Sequence, residues 1–257
     1  MTGKAFVLAA AALVVAGAAH ADVHIRLQDT QRDSAPVTVD MYVHDGQVRI
    51  DQSDNRTGYT LFDSRTGTMT MVMTGRRRYV RFNRESADRA REQMQQQMQA
   101  QLANAPPAQR DMLRQMMEQR NRSASAPTAP PKVSDTGRNA TVSGIRCRLY
   151  RVLPQGGTPR EICMASRATL RISRKDLHAI RTMASEGREI ARHLGGDSSR
   201  NFTFDPAQMP GFPVMERPAA DDAATGTSRL QAIDHERLDP AMFRVPAGYT
   251  QRPLMEQ

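Results

Sequence analysis

From Val23 to Phe82, apolar and polar residues exchange at every second position. The pattern runs through Val23, Ile25 and Leu27, then Val37, Val39, Met41 and Val43, then Val48 and Ile50. Tyr59 and Leu61, the series Met69, Met71 and Met73, and Tyr79 to Phe82 continue it. Turn-forming groups separate the runs at His44-Asp45-Gly46, Asp63-Ser64-Arg65-Thr66-Gly67 and Thr74-Gly75. Alternation of this kind turns one strand face to a core and the other to water. It predicts a meander of about six short antiparallel strands.

The period changes at Asn83. Arg84 to Asn104 is rich in Gln, Arg, Met and Ala, which are good helix formers, and Met94, Met98 and Leu102 recur four apart on one narrow stripe. Pro106-Pro107 interrupts it, and Ala108 to Gln119 predicts a second short helix carrying Met112, Leu113, Met116 and Met117. Residues 84–120 thus read as a helical hairpin, and 121–137, rich in Ser, Ala, Pro and Thr, as a flexible linker. Period two then returns at Ala140 to Ser143. Ile145 to Leu153 and Pro159 to Ala165 flank the turn signature Pro154-Gln155-Gly156-Gly157-Thr158. Ser173 is a candidate N-cap, with Asp176 three residues on, for a helix running to Leu194 and stopped by Gly195-Gly196. A Pro-rich extended stretch (Phe202 to Met215), a strand over Leu230 to Ile233, and a capped turn opened by Asp239-Pro240 complete the reading.

The N-terminus assigns a compartment. Lys4 precedes the apolar run Ala5 to Ala16, and Ala19-His20-Ala21 is a small-x-small cleavage site. The run is too short to span a bilayer core, which needs roughly 20 residues. Residues 1–21 therefore read as a cleaved signal peptide. Residues 22–257 read as a single periplasmic domain.

Net charge is +9, and only Lys4, Lys132 and Lys175 among the 36 basic residues are lysines. Compositional bias toward Arg accounts for this, as does attraction to anionic partners such as phospholipid head groups. Nucleic acid is not an expected partner for an exported chain with dispersed basic residues. Aromatic residues make up 5% of the chain and Trp is absent, so the core must be aliphatic and Met-rich.

Cys147 and Cys163 are the only cysteines. A hairpin centred on Gln155 would set them directly opposite each other on adjacent strands, which suits a structural disulfide in an oxidising compartment. Redox chemistry would call for a Cys-x-x-Cys motif or a helix N-terminus, and neither accompanies them.

Other chemistry is sparse. His24, His44, His178, His193 and His235 share no ligand spacing with one another, with Cys or with a carboxylate, and the chain has no Gly-x-Ser-x-Gly elbow or phosphate-binding Gly loop. No catalytic residue, cofactor or metal is expected, and the protein reads as a non-enzyme. Met94, Met98, Met112 and Met116 suit adaptable packing or a lid, capture of client proteins, or thioether ligation of Cu(I). Arg76-Arg77-Arg78 lies in a hairpin turn and suits either plain solvation or contact with an anionic head group.

Several short motifs together resemble an uncharacterised family of bacterial periplasmic proteins whose domain has no assigned function. They are Val43 to Ile50, Arg78-Tyr79-Val80, the Met/Gln helices, Ser143 to Cys147, Gly211 to Val214 and Leu238 to Tyr249. More distantly the chain is similar to the lipoprotein-localisation-factor half-barrels, in which a curved sheet wraps an apolar cavity closed by helices.

The expected fold is α+β: a strongly curved antiparallel sheet, a half-barrel, with helices against its concave face or mouth. The expected function is binding of a lipid, acyl chain or other amphiphile in a pocket lined by Val39, Met41, Met71 and Met73. Met94, Met98 and Met116 would serve as a lid, and Arg76, Arg77 and Arg78 would meet an anionic membrane surface. The alternative is an envelope interaction or chaperone-like protein that applies its Met/Gln helices to clients.

Overall fold

The computed structural model describes residues 22–30, 34–53, 58–104, 106, 109–112, 115, 131–154, 158–193, 210–219 and 226–254. The signal segment 1–21 lies outside them.

The meander is β1 (Asp22–Thr30), β2 (Val37–His44), β3 (Gln47–Gln52), β4 (Gly58–Asp63), β5 (Thr68–Met73) and β6 (Arg78–Phe82). Its β2–β3 turn places Asp45 and Gly46 both at positive φ (47° and 81°), the geometry that matches the twist of a two-residue hairpin. Then come α1 (Arg84–Asn104), β7 (Lys132–Val142), β8 (Ile145–Leu153), β9 (Arg160–Ala165), the helical turn Arg167–Leu170 and α2 (Arg174–His193). The chain ends with β10 (Phe212–Pro218), β11 (Thr227–Glu236), the 3-10 turn Pro240–Phe243 and β12 (Thr250–Arg252).

All twelve strands join one sheet in the order β12-β6-β5-β4-β3-β2-β1-β11-β10-β9-β8-β7. Neighbours are antiparallel except β12, which runs parallel to β6. The fold is thus α+β with one large, mostly antiparallel sheet and few helices. The expectation of a strongly curved half-barrel is corrected, because the sheet is open and not strongly curled. Closure would require its edges to approach each other. Here one edge is the three-residue β12. The other is β7, whose ladder shifts between Asp135 and Asn139, with Gly137 at φ +72°. Short and irregular edges also blunt further strand addition.

β7 begins at Lys132, so the last part of the stretch read as a linker is a strand. Most of its side chains are exposed on both faces, which erases the alternation that would have marked it. Residues 109–112 are helical, as expected, while most of the second helix falls outside the described residues.

α2 packs across β2, β3 and β4 on the front face of the sheet. Ser173 caps it as expected: its Oγ accepts from the Asp176 backbone N–H at 3.0 Å and donates to Asp176 Oδ2. Leu177, Ala179, Ile180 and Met183 pack into the core with Val23, Ile25, Val43, Val48 and Phe62. Nearer β8 the core closes over Leu170 and Ile172. α1 is docked more lightly, since only Ala87 and Ala90 are buried. Arg84 donates twice to Glu186 of α2, at 2.7 and 2.9 Å.

Cys147 and Cys163 form a disulfide, but not as a directly opposed pair. The β8–β9 register sets Leu149 opposite Cys163, two residues from the expected pairing, and the bridge runs diagonally. A slip of two residues keeps both side chains on the same face. Their Cα atoms are 5.4 Å apart, within the span a disulfide bridges.

Candidate functional site

Register sorts the front face of the meander into three cross-strand rows. The first, Val23, Val43, Val48, Phe62, Met69 and Phe82, lies under or beside α2, and its first four members are buried. The second is Ile25, Met41, Ile50, Thr60, Met71 and Val80. Its burial falls away from the core, from Ile25 at 0% exposure through Met41 at 8% to Met71 at 48%. The third row, more distant from α2, includes Leu27, Val39, Gln52, Gly58, Met73 and Arg78.

The four residues assigned to a pocket therefore share one face but not one environment. Met41 belongs to the main core, Val39 is buried, Met73 is half-buried and Met71 is open to solvent. What the side chains form is a ramp descending from the core to the β5–β6 end, apolar at Met41, Ile50, Met71 and Val80 and interrupted by Thr60 and Gln52.

The ramp ends at the arginine turn. Arg76, Arg77 and Arg78 are all exposed, and none has an ion pair among the described residues. The turn has a fixed shape. Arg77 takes a left-handed conformation (φ 48°), its N–H donates to Thr74 O at 3.2 Å, and its carbonyl accepts from Thr250 N at 3.1 Å. A Cβ on Gly248 would lie 3.0 Å from Arg77 Nη2, so the bare glycine leaves room for that guanidinium.

The C-terminal segment braces this flank from the back face. Val245 and Tyr249 pack against Tyr59, Leu61, Val72 and Tyr79. Arg49 donates to Met242 O at 3.1 Å, is bound to Asp51, and lies 3.8 Å above the centre of the Tyr59 ring. Burial pushes the Tyr59 phenol above its ordinary pKa, with Arg49 opposing that shift. Asp22 fastens the start of the segment, accepting from Leu238 N at 2.9 Å while its other oxygen lies 2.8 Å from His44 Nδ1.

Met94 and Met98 lie half-buried along α1 and Met112 is exposed, whereas Met116 lies outside the described residues. The remaining expected site feature, the Cys147–Cys163 pair, stands at the far flank beside a buried carboxylate. Glu161 accepts from Arg138 at 2.6 Å and from Arg217 at 2.7 Å. Arg217, and secondarily Arg138, hold its carboxyl below the usual range against the opposing cost of burial.

One polar cluster escaped the sequence reading. On the back face, buried His24 stacks on Tyr42 with ring centres 4.3 Å apart, and its Nε2 lies 2.7 Å from Asp40 Oδ1. Arg26 donates to the same oxygen at 2.9 Å, and Asp234 and Glu236 lie 4.0 and 3.9 Å from His24 Nδ1. The cluster unites three strands, one of them drawn from the opposite end of the chain. His24, Arg26, Asp40 and Tyr42 sit between the apolar positions of alternating runs, and Asp234 and Glu236 lie just beyond the predicted Leu230–Ile233 strand, so their meeting becomes specific only once β1 is known to pair with β11.

Among the described residues, no group of three or more His, Cys, Asp or Glu side chains is arranged to hold a metal ion. No described helix is long and apolar enough to cross a membrane. No protein-family profile matches the chain, and no curated protein matches it. Among solved structures it is similar to an uncharacterized conserved protein from Thermus thermophilus, at 6% identity with 91% of each chain covered and a TM-score of 0.45.

Proposed function

We propose that the protein is a non-enzymatic periplasmic binding protein that takes a lipid, acyl chain or other amphiphile on the open part of its front face. The observation that supports this reading is the ramp itself. A row that leaves the core through Ile25, Met41 and Ile50 is interrupted by Thr60 and turns apolar again at exposed Met71 and half-buried Val80, with half-buried Met73 beside them. Burying such surface against a hydrocarbon chain releases about 25 cal/mol per Å². The methionines adapt to variable chain shapes. α1, held mainly at its first turns, is the adjacent element free to cover a bound chain with Met94 and Met98.

The test is native mass spectrometry of the protein purified from its own envelope, followed by titration of the delipidated protein with a fluorescent fatty acid. A copurifying amphiphile and saturable uptake, weakened at least tenfold by Met71→Glu, are expected. Absence of both overturns the reading. A second reading, capture of client proteins by α1, draws support from how little of that helix is buried. Deleting residues 84–119 separates the two. Client capture would vanish while the sheet persists, whereas the front face would keep a weakened uptake of fatty acid.

A further inference from the structure

We infer that the Arg76–Arg78 turn, together with the Met71–Met73 end of β5, docks this flank of the sheet onto an anionic phospholipid bilayer. The inference rests on the amphiphile reading only for what is exchanged there; the docking stands on its own geometry.

Charge complementarity carries it. Arg76, Arg77 and Arg78 are consecutive and exposed, with no ion pair among the described residues, whereas several other arginines are matched to carboxylates. Arg26 meets Asp40, Arg49 meets Asp51, Arg84 meets Glu186, Arg148 meets Asp135, and Arg138 and Arg217 meet Glu161. The three unmatched arginines are adjacent at the turn that joins β5 to β6. That arrangement suits a charged plane better than a single small anion. Apolar surface adjoins them on the front face, where Arg78 pairs with Met73 and Met71 pairs with Val80. A surface of cations beside exposed apolar side chains is the composition that peripheral membrane elements use: the cations attract head groups and the apolar groups enter the acyl boundary. The turn is also held in place, through Thr250 and Gly248, by the segment that braces β6. A docked membrane would then lie at the open end of the ramp.

The experiment is cosedimentation of the full chain with vesicles of phosphatidylglycerol and phosphatidylcholine, or of phosphatidylcholine alone. Binding to the anionic vesicles alone is expected, and it should be lost at about 0.5 M salt, where screening is nearly complete at contact distances. At roughly fivefold per cation, Arg76→Gln with Arg78→Gln should lower partitioning about 25-fold, while Arg76→Lys with Arg78→Lys retains most of it. Arg77 is left intact because its backbone shapes the turn. Equal binding to both vesicle types, or unchanged binding by the Gln variant, overturns the docking. So does full competition by millimolar inorganic phosphate, which would make the turn an ion site. Arg76→Gln alone, which lies outside the front-face rows, should lower partitioning about fivefold and leave uptake of a neutral monoacylglycerol in solution unchanged, so docking fails separately from amphiphile binding.

Discussion

At the β7–β9 flank, two of the bracing contacts join near neighbours in sequence, although Arg217 also reaches Glu161 across 56 positions. The disulfide links residues 16 apart, and Arg138 reaches Glu161 across 23 positions. The β4–β6 flank is held instead by a segment that arrives almost at the end of the chain. Met242 accepts from Arg49 across 193 positions, and Arg244 accepts from Tyr59 across 185. The first flank is thus stapled by a bond that limits the unfolded chain. The second depends on contacts between residues 185 and 193 positions apart, whose loop closure costs more chain entropy. The long-range brace also leaves one side of its flank open. It covers the back face through Tyr59, Leu61 and Val72 and leaves Met71 on the front uncovered.

The brace offers the largest way to break this comparison. Phe243 is buried in the 3-10 turn and lies against the His44 ring, with centres 5.4 Å apart. Phe243→Ala should cost about 3–5 kcal/mol, read as a lower urea midpoint at unchanged slope. Next comes the staple: Cys147→Ala with Cys163→Ala should cost about 3 kcal/mol. If the two flanks are independent, the combined variant should lose the sum to within about 0.5 kcal/mol. A larger deviation would show that the flanks are energetically coupled and that the comparison is drawn too sharply.

The same contrast explains what can be read from the sequence. The meander, α1, the β8–β9 hairpin and the Ser173 cap are legible because each is written in local periodicity or in a turn residue. The facing of Val39, Met41, Met71 and Met73 follows from alternation alone. Their burial does not, because it depends on where α2 crosses the sheet. The turn signature Pro154 to Thr158 fixes no single centre locally, so the sequence misplaces the cysteine register by two residues. β12 carries three residues and no pattern, and its parallel pairing to β6 spans more than 170 positions. Curvature is overstated in the sequence reading because alternation specifies which face is apolar and says nothing of whether the edges meet. The His24 cluster is hidden for the related reason that pairing between distant strands has no local signature.

A smaller effect concerns the stapled flank and pH. Arg217 and Arg138 lower the folded pKa of Glu161 relative to its unfolded value. The ion cluster's stabilisation is therefore fully present above the ordinary glutamate pKa of about 4.3 and is lost as pH falls through the lower folded value. Glu161→Gln should cost about 2 kcal/mol near neutral pH, since it removes charge-assisted bonds from a buried acceptor. The gap between the native chain and the variant should close as denaturation is repeated at progressively lower pH. A gap that stays constant into strong acid would assign the loss to packing instead of charge.

The smallest expected stability change is also the most telling for function. Met41 and Met71 occupy the same cross-strand row, separated by β3 and β4, yet one is in the core and the other is 48% exposed. Met41→Ala should cost about 2–4 kcal/mol, as a buried side chain whose loss leaves a cavity. Met71→Ala should stay within about 0.5 kcal/mol, because little packing is lost. If Met71 serves the fold, its replacement will lower the urea midpoint measurably and leave fatty-acid uptake alone. If it serves a ligand, the midpoint will hold while uptake weakens. Single exposed apolar side chains are common on protein surfaces, so it is the change in uptake, and not the exposure of Met71, that would assign it to a ligand.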